Sequence, residues 1–283
     1  MSWDFWLGLL TGAAGAAGGV TLLAHRRLAA WTASRQEALE REERAEETRR
    51  HLLADVSHEL ATPLTAIRGG AETLLDATIP LRETERNQLV GDILAASNRM
   101  QVLIEDLFDL TRLEAGAVDL RTERLDWSSL CRHLVDRYGA RFSEMGLSLQ
   151  YAGPAEPAWV EADGRRLEQV LENLLANALR YVTAPGRVRV VLKTVSSPDG
   201  QARHRLRVVD DGPGFPTADL SRLFDRFYKS DRDRSSPGSG LGLAIVKELA
   251  ERHGGSVVAG NRDPGRGTGA VVTLELPAAE PPA

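Results

Sequence analysis

Apolar residues recur at helical spacing early in the chain. Leu53, Val56, Leu60, Leu64, Ile67, Ala71 and Leu74 fall on one face of a segment beginning near residue 51. From about 84 to 114, Leu89, Ile93, Ala96, Met100, Leu103, Leu107 and Leu110 alternate steps of four and three, a heptad seam. A short connection over 78–83 predicts a helical hairpin. One hairpin cannot bury both seams by itself, so the pattern predicts a homodimeric four-helix bundle.

From about 126 the period changes. Residues 147–151, 156–161, 187–195, 204–210, 256–260 and 269–276 read as strands. Residues 163–180 and 241–253 read as helices, the first with Leu167, Val170, Leu171, Leu174 and Ala178 on its apolar face. The turn at Ser197-Pro198-Asp199-Gly200 makes 187–195 and 204–210 a hairpin, and the second domain is α/β. Residues 211–240 hold Gly, Pro, Ser and charge, too long a stretch for a plain connection, which points to function or mobility.

The N-terminal stretch differs from both. Phe5 to Ala24 carries no charge, and a helix of about 20 residues spans about 30 Å, one hydrocarbon core. Trp3 and Trp6 suit one interface, and His25, Arg26 and Arg27 flank the other, which places the body of the protein on the cytoplasmic side. Only Asp4 precedes the run as a charge, which favours a single-pass membrane anchor over a cleaved signal peptide. Gly8/Gly12 and Gly15/Gly19 have the spacing that lets two such helices pack closely. Residues 28–50 combine Glu and Arg without Pro or Gly and read as a solvated spacer helix. With so little chain ahead of the anchor, no external sensor domain is expected, and the input would come from the bilayer, from a membrane partner protein, or from nothing that this chain binds.

Composition narrows the field further. In 283 residues, 42% apolar and 27% charged content is that of a folded protein, and a net charge of −5 gives no sign of nucleic-acid binding. The single cysteine, Cys131, excludes an internal disulfide and a cysteine-based zinc site.

Chemistry enters at "ADVSHELATPLTAI", residues 54–67. Pro63 lacks an N–H and its ring clashes with the carbonyl of Glu59, which loosens the turn carrying His58. His58 points away from the seam of Val56, Leu60 and Leu64. Glu59 can hold an imidazole N–H and leave the other ring nitrogen nucleophilic. Thr62, four residues beyond His58, shares its face and can position a water. His51 has no such neighbours and reads as a surface residue. "DVSHELATPL" resembles the phosphoacceptor box of bacterial two-component sensor histidine kinases, S-H-E-L-R/K-T-P-L, departing from it only at Ala61. The resemblance implies phosphorylation of His58 on a ring nitrogen, Glu59 as proton acceptor, and Thr62 in hydrolysis of the phosphorylated partner.

Four further stretches follow in that family's order. In "LENLLANALRY" (171–181), Asn173 and Asn177 share a helix face, and an amide oxygen is a suitable hard ligand for Mg²⁺ beside phosphates. The family places a cation at Arg180 and an aromatic at Tyr181, near the nucleotide. In "VVDDGPGF" (208–215), Asp210 ends a strand where it can accept from an adenine amino group, and Gly212 and Gly214 let the backbone approach the base. In "LFDRFYKSD" (223–231), Phe224, Phe227 and Tyr228 are expected on a short helix, with Arg226 and Lys229 available to phosphate charges. The family usually has Arg where Lys229 stands, so bidentate geometry is lost. "GSGLGLAIVKEL" (238–249) is a glycine loop entering a helix, with Gly238, Gly240, Leu241 and Gly242 expected around phosphate.

The second domain thus resembles the ATP-binding fold shared by histidine kinases, Hsp90-type chaperones, gyrase B and MutL-type proteins. The uncharged run makes 1–27 a transmembrane anchor and the charged stretch makes 28–50 a linker helix, while the resemblance, over about residues 50–277, implies 51–118 as the all-α dimerisation and phosphotransfer domain and 119–278 as the α/β sandwich ATP-binding domain, leaving 279–283 as tail. The resemblance further implies a protein-histidine kinase of the cytoplasmic membrane that uses ATP and Mg²⁺, phosphorylates His58 and passes the phosphoryl group to a response regulator receiver domain. An ATP-driven conformational machine of the same fold would lack the phosphoacceptor box. A degenerate signalling scaffold would not need Asn177, Asp210 and the Gly238 loop.

Overall fold

The computed structural model describes residues 35, 53–76, 78–197, 200–230, 238–263, 265 and 268–281. The expected anchor 1–27 lies outside the described residues, as does the linker 28–50 apart from Arg35. Among the described residues no helix is long and apolar enough to cross a membrane. The chain divides into two compact units, Met1–His58 and Glu59–Ala283.

Residues 53–75 are helical (α1), and Glu83–Glu114 form α2. Every position of the α2 seam is buried or half-buried, with Ala96, Leu103 and Leu110 at 0, 5 and 2% exposure. In α1 the outcome differs from the expected face. Leu60 and Ile67 are half-buried, Pro63 is buried, and Leu64 stays 57% exposed; Leu53 is also exposed. The physical reason is that a single hairpin covers one side of each helix only. A second apolar stripe on α2, Val90, Leu94, Ile104 and Phe108, is exposed for the same reason.

The second half is an open sandwich. Strands β2 (Leu147–Ala152), β4 (Gly186–Ser196), β5 (Ala202–Asp210), β6 (Ser256–Asp263) and β7 (Thr268–Pro277) make one sheet in the order β2-β4-β5-β7-β6. Only β2 and β4 run parallel; the other neighbours are antiparallel. Strands β1 (Glu123–Asp126) and β3 (Trp159–Ala162) form a separate antiparallel pair. Helices α3 (Trp127–Glu144), α4 (Gly164–Tyr181) and α5 (Gly242–Arg252) bury their apolar stripes against the inward residues Val188, Val190, Leu192, Leu206, Val208, Val272, Leu274 and Leu276.

Two elements were not expected from the sequence, β1 and α3, and the reason is local. Helix α3 mixes Ser, Arg, His and Gly139 into its stripe, which blurs the period. Its start was signalled, however. Asp126 caps it, accepting from Ser128 N at 3.0 Å and Ser128 Oγ at 2.6 Å, and its Oδ1 also takes the Ala158 N–H at 2.9 Å. Burial pushes the Cys131 thiol on this helix strongly up, so it stays an inert packing residue. The short helix expected over 223–231 is instead a run of turns over 220–227 after a single 3₁₀ turn, Thr217–Asp219. Two helix-breaking prolines just ahead, Pro213 and Pro216, favour turns over a continuous helix.

Candidate active site

The end of β5 sets the first part of the site. Asp210 is 9% exposed, and its Oδ1 accepts two backbone N–H groups, Gly212 at 2.8 Å and Ala270 at 3.0 Å. These bonds fix the carboxylate plane, and no described donor occupies Oδ2. Burial pushes the Asp210 carboxyl up, against the lowering effect of both backbone donors. Gly212 is closed in by Asp210, the Tyr181 carbonyl and Val182, so a Cβ there would meet Asp210 Oδ1 at 2.9 Å. Gly214 has φ +74°, a backbone state that glycine adopts without cost.

The second part is the face of α4 toward the glycine loop. Asp163 caps α4, accepting from Arg165 and Arg166 N–H groups. Asn173, Asn177, Arg180 and Tyr181 then follow at helical spacing beside the buried stripe. Asn173 faces the start of α5, where a Cβ on Gly242 would lie 3.5 Å from its Oδ1. A Cβ on Gly238 would collide with the Arg180 guanidinium, and that guanidinium carbon sits 5.9 Å from the Tyr181 ring centre. Asn177 lies one turn beyond Asn173, half-buried. The structure therefore brings Asn173, Arg180 and Tyr181 to the loop that holds Gly238 and Gly242.

Helix α5 begins with no side-chain cap, leaving its first N–H groups directed at this space. Ser239 Oγ accepts the Leu241 N–H at 3.2 Å just before that start. Leu241 is fully buried, so only its backbone can face a phosphate. Gly240 has φ +71°, and a Cβ there would lie 2.7 Å from the Phe227 backbone. Phe227 itself has φ +56°, unusual for a bulky side chain, and it packs against the core.

Mg²⁺ was expected on Asn177 and Asn173. No group of three His, Cys, Asp or Glu suited to a metal occurs among the described residues. An ion carried on phosphates needs only one or two protein oxygens. Asn173 Nδ2 is buried without a hydrogen-bond partner among the described residues, an orphaned polar group at the place where a phosphate-bearing ligand would bring oxygens.

On α1, His58 and Thr62 are exposed and Glu59 is half-buried. Both Glu59 oxygens accept from Lys229 Nζ, at 2.7 and 2.8 Å, and the two side chains are 23 and 14% exposed. Arg226 is paired with Glu114 at the end of α2. The two cations expected at phosphate thus hold carboxylates of the helical region in this structure.

Sequence reasoning missed several residues that shape the site. Asn261 of β6 accepts from Phe215 N at 2.7 Å and donates to Phe215 O at 2.8 Å, pinning the strand-end loop after Gly214. Asp106 of α2 accepts from Ser239 Oγ at 3.2 Å, and burial pushes its carboxyl up. Asp109 accepts from Arg166 and Gln169 of α4 at 2.7–2.9 Å. Each partner is distant in the chain, so no local pattern marks it.

Both halves of the chain are similar to known proteins. Residues 48–116 match the family model of the His Kinase A (phospho-acceptor) domain. Residues 162–280 match that of the histidine kinase-, DNA gyrase B- and HSP90-like ATPase. The histidine-protein kinase BaeS of Escherichia coli K12 is 33% identical over 237 residues, covering 83% of this chain and 48% of that protein. The histidine-protein kinase/phosphatase MprB of Mycobacterium sp. strain KMS is 37% identical over 224 residues, covering 77% of this chain and 41% of that one. The crystal structure of full-length ShkA in complex with AMPPNP superposes with a TM-score of 0.59 at 31% identity, over 82% of this chain and 47% of that one. The chain spans about half the length of the curated relatives it matches. It carries both of the family's domains in order, helical then α/β, and belongs to the two-component sensor histidine kinases.

Proposed function

We propose that this chain is a membrane-anchored homodimeric kinase that phosphorylates its own His58 from Mg-ATP and passes the phosphoryl group to an aspartate of a response regulator. One observation carries the nucleotide half. The held carboxylate of Asp210, the uncapped start of α5 and the Asn173–Arg180 face of α4 border one space. Asp210 Oδ2 would accept from the adenine amino group. The α5 N–H groups and Arg180 would take phosphate charge, with Asn177 and Asn173 holding the metal, which neutralises charge on the phosphates when bound.

A His58 ring nitrogen then attacks the γ-phosphorus. The N–P bond forms as the bond to the bridging oxygen breaks, ADP leaves, and Glu59 takes the imidazole proton. The same phosphoryl group next passes to the aspartate oxygen of a receiver domain. Thr62 would orient the water that hydrolyses the receiver's aspartyl phosphate, releasing inorganic phosphate and the free aspartate, a role that fits the naming of the MprB relative. Membrane attachment rests on the uncharged run Phe5–Ala24 and its basic flank. Dimerisation rests on the exposed α2 stripe and the phosphoacceptor-domain match.

The test is incubation with γ-labelled ATP. Acid-labile, base-stable label is expected on the chain, and His58→Gln should abolish it while leaving nucleotide affinity nearly unchanged. Label persisting in His58→Gln would place the acceptor elsewhere.

A further inference from the structure

Among the described residues, helices cover one face of the five-stranded sheet and leave the other open and strongly basic. Alternation along β4 and β5 sends Arg187, Arg189 and Lys193, and Arg203, Arg205 and Arg207, to that side, while Val188, Val190, Leu192, Leu206 and Val208 go to the core. Register places Lys193 directly opposite Arg205, and Arg207 opposite Val191 next to Arg189. On the neighbouring β7 the same face offers one acid, Glu275, opposite Arg205. Arg205 already holds Glu275 at 2.6 Å, with Arg203 at 4.0 Å. Arg187, Arg189, Lys193 and Arg207 make no ion pair among the described residues. Towards the sheet edges the face continues with Ser148 and Gln150 of β2, and Val258 of β6 at 61% exposure.

Like charges directly across a strand pair destabilise a sheet. A chain of net charge −5 nevertheless concentrates cations on this plane, so the arrangement calls for an external anion. We propose that this face docks on the anionic phospholipid headgroups of a bilayer; this rests on the membrane part of the function proposed above. The cations lie on adjacent strands of one face, and arginine forks match phosphate oxygens bidentately. No aromatic residue interrupts the cations of β4 and β5 to stack bases, as a nucleic-acid surface would have. The uncharged run Phe5–Ala24 would keep the same chain at a bilayer, where a juxtaposed basic surface gains from anionic lipid.

The chain supplies its own reporter, because its lysines are Lys193, Lys229 and Lys247. Lys193 lies on the basic face, and Lys247 is exposed on α5. The full chain is mixed with vesicles of neutral phosphatidylcholine or of phosphatidylcholine with phosphatidylglycerol. Acetylation rates at both lysines are read by mass spectrometry. Lys193 should react about tenfold more slowly with anionic vesicles only, reversibly by high salt, while Lys247 keeps its rate. The double variant Arg189→Glu/Arg207→Glu should lose that protection. Equal rates at Lys193 with both vesicles would overturn the proposal, as would protection without lipid that scales with protein concentration, or protection by a short DNA duplex alone. Alkaline extraction of the same vesicles reads the anchor separately. Retention with unprotected Lys193 rejects the docking and keeps the anchor; release with protected Lys193 keeps the docking and rejects the anchor.

Discussion

At the scale of single residues, Asp210 sets recognition against stability. Burial raises its pKa, so its charge at neutral pH costs folding free energy. Asp210→Asn keeps an acceptor for the Gly212 and Ala270 N–H groups and removes that charge. The variant should melt no lower than wild type, and higher at neutral pH. Its amide would meet the adenine amino group donor to donor, and an unpaired buried polar group costs about 1–3 kcal/mol, so nucleotide affinity should fall about tenfold or more. Calorimetry on the two proteins checks both halves, and unchanged affinity would remove Asp210 from base recognition. Asp210 was legible in the sequence because a carboxylate ending a strand before Gly-Pro-Gly is a local signal. Asn261 was not, since its role arises only when β6 is brought beside the loop carrying Phe215.

At the scale of elements, the glycine loop before α5 is tightest at one position. Gly240 has both a positive φ and a backbone wall 2.7 Å from any Cβ. Gly240→Ala should therefore lower stability by about 1–3 kcal/mol, read as a shift in the urea midpoint. A loss below the error of the fit would mean the loop relaxes freely around Phe227. On α2 the exposed stripe makes a separate prediction. Leu94→Glu with Phe108→Glu, at positions 60 and 64% exposed, should turn dimer into monomer in sedimentation without loss of helix content. Persisting dimer would place the interface elsewhere. The α2 seam was readable because four-three alternation runs its full length. Helix α3 escaped for the opposite reason: its stripe is interrupted, and only the Asp126 cap announced it. Strand β4 was legible from its alternating Val and Arg, whereas β3 of the separate pair begins at Trp159, three residues later than expected.

At the scale of the whole molecule, pH should act through two histidines. His253 ties the end of α5 to the cap of α4: its Nε2 accepts the Asp163 N–H at 3.1 Å, and its Nδ1 lies 2.7 Å from Leu249 O. Burial lowers the pKa of His253 and of His204, which is hydrogen-bonded to Thr194 at 3.1 Å. The neutral ring is thus the folded form. Above the ordinary histidine value both states are neutral and no penalty applies; as pH falls through that value toward the folded one, the unfolded chain takes the proton and stability drops. Three carboxyls, Asp106, Glu114 and Asp210, are pushed up and change stability in the opposite sense. The comparison of wild type with His253→Gln isolates the histidine: urea midpoints from pH 8 to pH 5 should fall less steeply in the variant. Parallel curves would show that His253 does not titrate on unfolding.

The bond between Lys229 and Glu59 has a consequence in the language of genetics. One residue is proposed to take the proton from the acceptor histidine, the other to meet phosphate charge, and each occupies its partner. A chain holding this pair has both ends of the reaction switched off by one contact, so its basal leak depends on a single equilibrium. Replacing either residue breaks the contact and also removes one working group. The two lesions are then expected to show epistasis, because the shared contact is relieved only once: Glu59→Gln/Lys229→Gln should label more slowly than the product of the two single effects. Independent, multiplying losses in initial labelling rate would mean that the two residues do not share a common off-state.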